Sequence, residues 1–375
     1  MRIVVAPDKF KDALDAQSVG DAIAAGVRSV DAEADISVVP MADGGEGTLG
    51  PAIHAGFTAV SASVTGPLGD PVDAAFALQG TTAIIELAAA SGLSLVPARQ
   101  RNALAATSRG TGELIAQALD RGVTSIILAV GGSASTDGGA GLISALGARL
   151  LDAAGQELPD GGGSLRNLAS IDLTRLDRRI ARTRFVLATD VDNGLLGPQG
   201  AASVFAPQKG ATITEVAQLE LGLTRFARML AAERTGADFI DAPGAGAAGG
   251  VGFAALAVLD AVQRPGVDVV CEFTRLRAHL AGADLVITGE GSFDTQSLGG
   301  KTPVGVQQAA ATLDIPVVAV CGRVTLSEAE WRAAGFSDCY AVLDRAPDRA
   351  TSIRDTRTYL TEIGADIARS LTDTI

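Results

Sequence analysis

The feature that most constrains this chain is a recurring order. A short apolar, β-branched run is followed by a loop of Gly, Asp and small residues, then by a stretch with helical spacing. Ile3–Ala6 leads through Pro7-Asp8-Lys9 into Ser18–Val30, where Val19, Ile23, Ala24 and Val27 share one helical face. Ser125–Val130 leads through Gly131–Gly141 into a predicted helix over Gly139–Leu150. Asp284–Thr288 leads through Gly289–Lys301 into Pro303–Leu313, and the run Pro316–Val320 follows. Runs this apolar are expected of parallel strands buried on both faces. Further strands are expected at Ile36–Val39, Phe185–Ala188 and Tyr340–Leu343, and further helices at Gly112–Asp120, Glu215–Glu233, Val251–Val262 and about 355–371. Phe57–Val64, Val72–Leu78 and Ala83–Leu87 differ: they alternate, with Gly-Pro and Gly-Asp turns between them, which predicts an antiparallel section.

The opening segment has only two strands, too few for a covered sheet, and the C-terminal segment has the missing parallel ones. The expected fold class is therefore α/β. A Rossmann-like parallel-sheet domain is formed by both chain ends, 1–60 and 281–375, and a second mixed α/β domain with glycine-rich loops, 61–280, is inserted. A length of 375 residues suits two domains.

Charge narrows the function. A net charge of −13 excludes the basic footprint that nucleic acid needs, so an anionic ligand must be held by local cations. No segment has the roughly 18 consecutive apolar residues of a membrane span. The N-terminus turns acidic after a short apolar run, which predicts a first strand and no signal peptide. Cys271, Cys321 and Cys339 lack metal-type spacing, so a reducing cytoplasm is the expected compartment. Of 30 basic residues only Lys9, Lys11, Lys209 and Lys301 are lysine, each beside Gly, Asp or Pro, where a compact ammonium suits phosphate or carboxylate. His54 and His279 sit in helix-like stretches without partners, which supports neither a His-based triad nor a zinc site.

Three glycine loops can be separated by what surrounds them. Gly131-Gly132-Ser133-Ala134-Ser135-Thr136-Asp137 follows an apolar strand and opens a helix, so its backbone N–H groups and hydroxyls suit phosphate. Gly244–Gly249 matches GxGxxG but lacks a proper preceding strand, so a dinucleotide fingerprint is rejected in favour of a packing or anion-contact loop. Gly300-Lys301-Thr302 resembles the end of a Walker A loop, but position 295 is Thr where Gly is required. Acids also gather in loops after strands: Asp8, Asp43, Glu46, Asp137, Asp190, Asp192, Glu290 and Asp294. Carboxylates at strand ends suit Mg²⁺ binding or acceptance of a hydroxyl proton, and each also suits a cap or turn.

In order along the chain, these motifs resemble the glycerate kinase family. The matching runs are Ala6–Lys11, Pro40–Thr48, Gly110–Ile115, Gly131–Gly141, Asp190–Asn193, Gly197–Ala201, Gln208–Ala211, Pro243–Gly250 and Gly289–Lys301. The chain departs from the usual pattern at Asp12-Ala13, Thr136 and Gly194. The resemblance implies ATP-dependent phosphorylation of D-glycerate in a cleft between two α/β domains, with 2-phosphoglycerate as product and Mg²⁺ as cofactor. A kinase giving 3-phosphoglycerate, or acting on another small hydroxy acid, is the alternative. A non-catalytic sugar-acid sensor is the alternative from another class.

For that reaction Lys11 and Lys301, supported by Lys9, are expected on phosphate and carboxylate oxygens. Asp190 or Asp294 is expected to receive the hydroxyl proton, while Asp43, Glu46 and Glu290 compete for the metal. Arg109 is expected to clasp the glycerate carboxylate. Asp8, Gly131, Gly132, Ser133, Ser135, Asp137 and Asn193 complete the expected substrate and phosphate contacts. The expected partners are D-glycerate and ATP, with no nucleic acid and no membrane, and a homodimer is left open.

Overall fold

The computed structural model describes residues 1–233 and 239–372, and the chain divides into two compact units. The first comprises Met1–Asp43, Gly50–Gly56 and Pro265–Ile375. Its sheet has five parallel strands in the order Asp338–Ala341, Val317–Cys321, Leu285–Gly289, Arg2–Pro7 and Asp35–Val38. The apolar runs explain why the middle three are central. Their side chains alternate between two cores, Val4, Ala6, Val286 and Ala319 on one face and Ile3, Val5, Ile287 and Val320 on the other. A strand that must satisfy both faces has no room for polar alternation.

Helix Ala16–Val30 covers one face of this sheet together with Thr356–Thr372. It starts where Asp15 accepts the Ser18 N–H at 2.7 Å, an N-cap that satisfies an otherwise orphaned donor. The two helices approach so closely that a Cβ at Gly26 would overlap the Thr361 carbonyl oxygen. Helix Thr302–Ala311 contributes Val304, Val306, Ala309 and Ala310 to the core of the opposite face.

The second unit comprises Gly44–Leu49 and Phe57–Arg264. Its six-stranded sheet has the order Val262–Arg264, Arg184–Ala188, Ser125–Ala129, Thr82–Glu86, Pro71–Gln79 and Thr58–Thr65. The first four strands are parallel and the last two pairings are antiparallel, as their alternating pattern requires. Among the described residues no helix is long and apolar enough to cross a membrane.

Local expectations needed correction in this unit. The helix expected over Gly139–Leu150 spans only Ala140–Ala145. Gly147 turns the chain at φ +102°, and Arg149–Leu151 then pairs antiparallel with Ser170–Asp172. Helix Gly112–Asp120 begins earlier, at Arg109. The segment Val251–Val262 belongs to Ala247–Leu259, whose early residues Ala248, Gly249 and Gly250 are left-handed, and Val262 opens an edge strand instead. In the first unit the strand expected at Tyr340–Leu343 lies at Asp338–Ala341.

Candidate active site

In the first unit, the carboxyl ends of the parallel strands gather one set of charged residues. Asp8 leaves strand Arg2–Pro7 and is fastened there by its own N–H, which donates to Gly289 O at 2.8 Å. Its carboxylate is buried, accepting from Thr302 Oγ1 at 2.7 Å and from the Lys9 N–H at 2.6 Å. Burial, and then the charge of Asp43, push the Asp8 carboxyl up to about 7, although Lys9 and both hydrogen bonds act the other way. Asp43 arrives by way of Met41, whose N–H donates to Pro7 O at 2.9 Å.

Glu290 directly follows strand Leu285–Gly289 and is also buried. Burial pushes its carboxyl up to about 7; a Ser297 hydrogen bond and Lys301 oppose the rise, while Asp8 and Asp294 add to it. Its Oε1 has no hydrogen-bond partner. Lys301 is the residue before helix Thr302–Ala311, and Asp294 accepts the Gln296 N–H at 3.0 Å in the intervening loop. Lys11, exposed, follows Phe10 just beyond the first strand. Asp8, Asp43, Glu290, Asp294, Lys9 and Lys301 thus share one electrostatic neighbourhood.

The second unit organises the glycine loop after strand Ser125–Ala129. Asp137 is fully buried and accepts four hydrogen bonds, from Ser108 N and Oγ at 2.9 and 2.8 Å and from the N–H groups of Gly139 and Gly141 at 3.1 Å each. It is a strut that shapes the loop. Lys209 is equally buried, donating from Nζ to Ser133 Oγ at 2.8 Å and to Ser135 O at 2.5 Å. Burial lowers its ammonium to about 7 against the pull of Asp137. Ser135 Oγ and Thr136 Oγ1 lie buried with no partner. Gly131 and Gly132 lie against the segment Gly44–Leu49: a Cβ at Gly131 would stand 2.7 Å from Gly45 Cα, and one at Gly132 3.2 Å from Glu46 Oε2. That segment is held in turn by Glu86, whose carboxylate accepts from Gly47 N at 2.9 Å and Leu49 N at 3.1 Å.

Other expected residues have their own places. Arg109 opens helix Arg109–Asp120, and its guanidinium grips Asp160 bidentately at 2.6 and 2.9 Å, so the chain itself supplies the carboxylate that a substrate was expected to bring. Asn193 ties a turn, with Nδ2 donating to Gln199 O at 2.7 Å and its carbonyl accepting the Gly246 N–H at 2.8 Å. Asp190 is exposed two residues beyond strand Arg184–Ala188. Glu46 belongs with the Gly131–Gly132 loop, whereas Asp43 and Glu290 belong to the first unit. Lys209, expected with the other lysines to suit phosphate or carboxylate, is instead buried against Ser133 and Ser135, and Glu86, one more acid at a strand end, received no role from the sequence.

Among the described residues no group of three or more His, Cys, Asp or Glu side chains is arranged to hold a metal ion. Mg²⁺ needs less, because it keeps several waters and takes one or two carboxylates together with phosphate oxygens. The carboxylates of Asp8 and Asp43, close enough for the charge of one to raise the other, fit that donor set, with the unpartnered Glu290 Oε1 in the same neighbourhood.

Residues 3–372 match the family model described as the glycerate kinase family. The chain belongs to the glycerate kinase family. It is 45% identical over 374 residues to a glycerate kinase of Bacillus subtilis (strain 168), covering 99% of this chain and 98% of that one. It is also 45% identical over 346 residues to the glycerate 2-kinase of Escherichia coli (strain K12), covering 92% and 91%. A crystal structure described as glycerate kinase 2 from Salmonella typhimurium LT2 superposes with a TM-score of 0.87 at 42% identity, covering 100% of this chain and 99% of that one. This glycerate kinase family member is accordingly a kinase, with the mixed α/β architecture of its solved relative.

Proposed function

We propose that this kinase transfers the γ-phosphoryl group of ATP to the 2-hydroxyl of D-glycerate, giving 2-phosphoglycerate. The observation that carries the reading is the strand-end cluster of Asp8, Asp43 and Glu290 beside Lys301, in a chain whose relatives include a glycerate 2-kinase. Phosphoryl transfer depends on positioning and charge neutralisation more than on covalent help. Bound Mg²⁺, which Asp8 and Asp43 would hold, supplies neutralisation of the nucleotide phosphates.

Lys11, Lys301 and Lys9 bring the compensating positive charge to phosphate and carboxylate oxygens. Asp294 or Asp190 receives the hydroxyl proton, and Glu290 joins them as a candidate because a carboxyl near 7 is matched to that exchange. The backbone of Gly131 and Gly132 is the proposed phosphate contact of the second unit, its shape kept by Asp137 and Lys209. Ser133 takes part through its bond to Lys209.

The test is ADP release in the presence of D-glycerate, Mg²⁺ and ATP, with enolase added to detect the product. Immediate enolase turnover supports the 2-kinase. A requirement for added phosphoglycerate mutase would move the reaction to the 3-hydroxyl. Absence of ADP release would overturn the kinase reading for glycerate and direct the search to other hydroxy acids or to a sensor.

A further inference from the structure

A cavity of about 110 Å³ opens in the first unit, beyond the carboxyl ends of its parallel strands. Its walls come from Phe10 and Lys11 after the first strand, Gly291 and Ser292 after Leu285–Gly289, Gly322 and Arg323 after Val317–Cys321, and Val342 after Asp338–Ala341. The carboxyl end of a parallel sheet is where open α/β folds place small ligands.

Its charge is unusual for this molecule. The chain has 43 acidic residues, yet every charged side chain lining the cavity is a cation: Lys11, Arg323 and Arg349. Other arginines of the same unit are paired, Arg332 with Glu328, Arg345 with Asp366 and Arg354 with Asp355. Among the described residues neither Lys11, Arg323 nor Arg349 forms an ion pair. Arg323 is held in place by a neutral partner, donating from NH2 to Ser292 Oγ at 3.2 Å. Three cations without ion-pair partners around one small cavity give it a positive potential that favours an anion.

Lining limits that anion. A cavity of about 110 Å³ has room for a three-carbon acid. Phe10, Val342 and Ile353 supply apolar wall for a short carbon chain, and an arginine fork matches a planar carboxylate. The cavity also adjoins the acidic cluster through the backbone: Gly291 follows Glu290, and the Gly322 N–H donates to Glu290 O at 3.0 Å.

We propose that this cavity is the subsite for the carboxylate of the hydroxy-acid substrate, with Arg323 and Arg349 as its specificity-determining residues beside Lys11. The assignment rests on the proposed action on a small hydroxy acid. It is tested by calorimetric titration of D-glycerate, with Mg²⁺ and a non-hydrolysable ATP analogue present, into the wild-type protein and into Arg323→Gln, Arg349→Gln and Arg332→Gln.

Loss of one charged hydrogen-bonding partner weakens binding at least about tenfold, so the first two variants are expected to bind D-glycerate that much more weakly, with the KM for glycerate rising in step and the KM for ATP moving less than twofold. Arg332→Gln, outside the cavity, should match the wild type. Arg323→Lys, which keeps the charge, should recover part of the loss. Glycerol, which lacks the carboxylate, should not compete, and inorganic phosphate at equal concentration should displace little glycerate. Wild-type affinity in both cavity variants overturns the assignment, as does complete displacement by phosphate or failure of the wild type to bind glycerate. The two readings fail separately. Unchanged KM in variants of an active kinase removes the subsite alone, whereas arginine-dependent glycerate binding without turnover removes the kinase reading alone.

Discussion

Replacing Lys209 by Met removes an ammonium that is 2% exposed and keeps a side chain of similar length in its place. The fall of its pKa from 10.5 to about 7 corresponds to about 5 kcal/mol of cost for keeping the charge in the folded protein, at roughly 1.4 kcal/mol per pH unit. The sign follows from proton counting. Between pH 7 and 10.5 the unfolded chain holds the Lys209 proton and the folded chain has released it, so raising pH favours the folded state. Below pH 7 both states hold the proton and this contribution is flat. Urea unfolding followed by circular dichroism at pH 6, 7, 8 and 9, on wild type and variant together, isolates the effect because other titrating groups cancel in the difference. The wild type is expected to gain about 2 kcal/mol on the variant between pH 7 and pH 9. The hydrogen bonds to Ser133 and Ser135 lost in the variant add an offset that does not depend on pH. A difference that stays constant across the four pH values would refute a lysine whose charge is lost on burial.

The remaining expectations concern the catalytic groups and the loops. Lys11→Ala and Asp190→Ala should each lower turnover in the ADP-release assay by at least about 10²-fold, and wild-type kinetics in either removes that residue from the scheme. Gly131→Ala places a Cβ 2.7 Å from Gly45 Cα and should cost about 1–3 kcal/mol, so an unchanged melting temperature would contradict the close approach of the two loops. Glu86→Ala takes away the acceptor of the Gly47 and Leu49 N–H groups, at a cost of about 1–3 kcal/mol. Hydrogen-exchange mass spectrometry should show faster exchange at both amides, and unchanged protection there would rule Glu86 out as the tether.

The central strands were legible because a strand buried on both faces leaves a continuous apolar run, as in Val286-Ile287 and Val317-Val318-Ala319-Val320. The stretch after Gly139 was less so, since its Ala and Leu residues favour a helix and the reversal depends on Gly147 at positive φ. The edge strand Val262–Arg264 is three residues long and carries no pattern to detect. Strand-end acids such as Asp8 and Glu290 could be found by position alone. The partners of Arg109 and Asp137 could not: Asp160 lies 51 residues from one and Ser108 lies 29 from the other, and nothing local announces either bond. The same distance in sequence hid the burial of Lys209, whose hydroxyl and carbonyl partners precede it by 76 and 74 residues.

The position of the first strand has a consequence for how the molecule is made. Arg2–Pro7 pairs with Leu285–Gly289, and helix Ala16–Val30 packs on Thr356–Thr372, so these early segments lack their partners until more than 280 residues have left the ribosome. At about 5–20 residues per second that wait is roughly tens of seconds. Phe57–Arg264 is continuous in sequence and can condense during it. Until then Ile3-Val4-Val5-Ala6 has Asp35–Val38 as its one available strand partner, and a ribosome stalled before Leu285 would hold one folded unit beside a strand whose other edge is open.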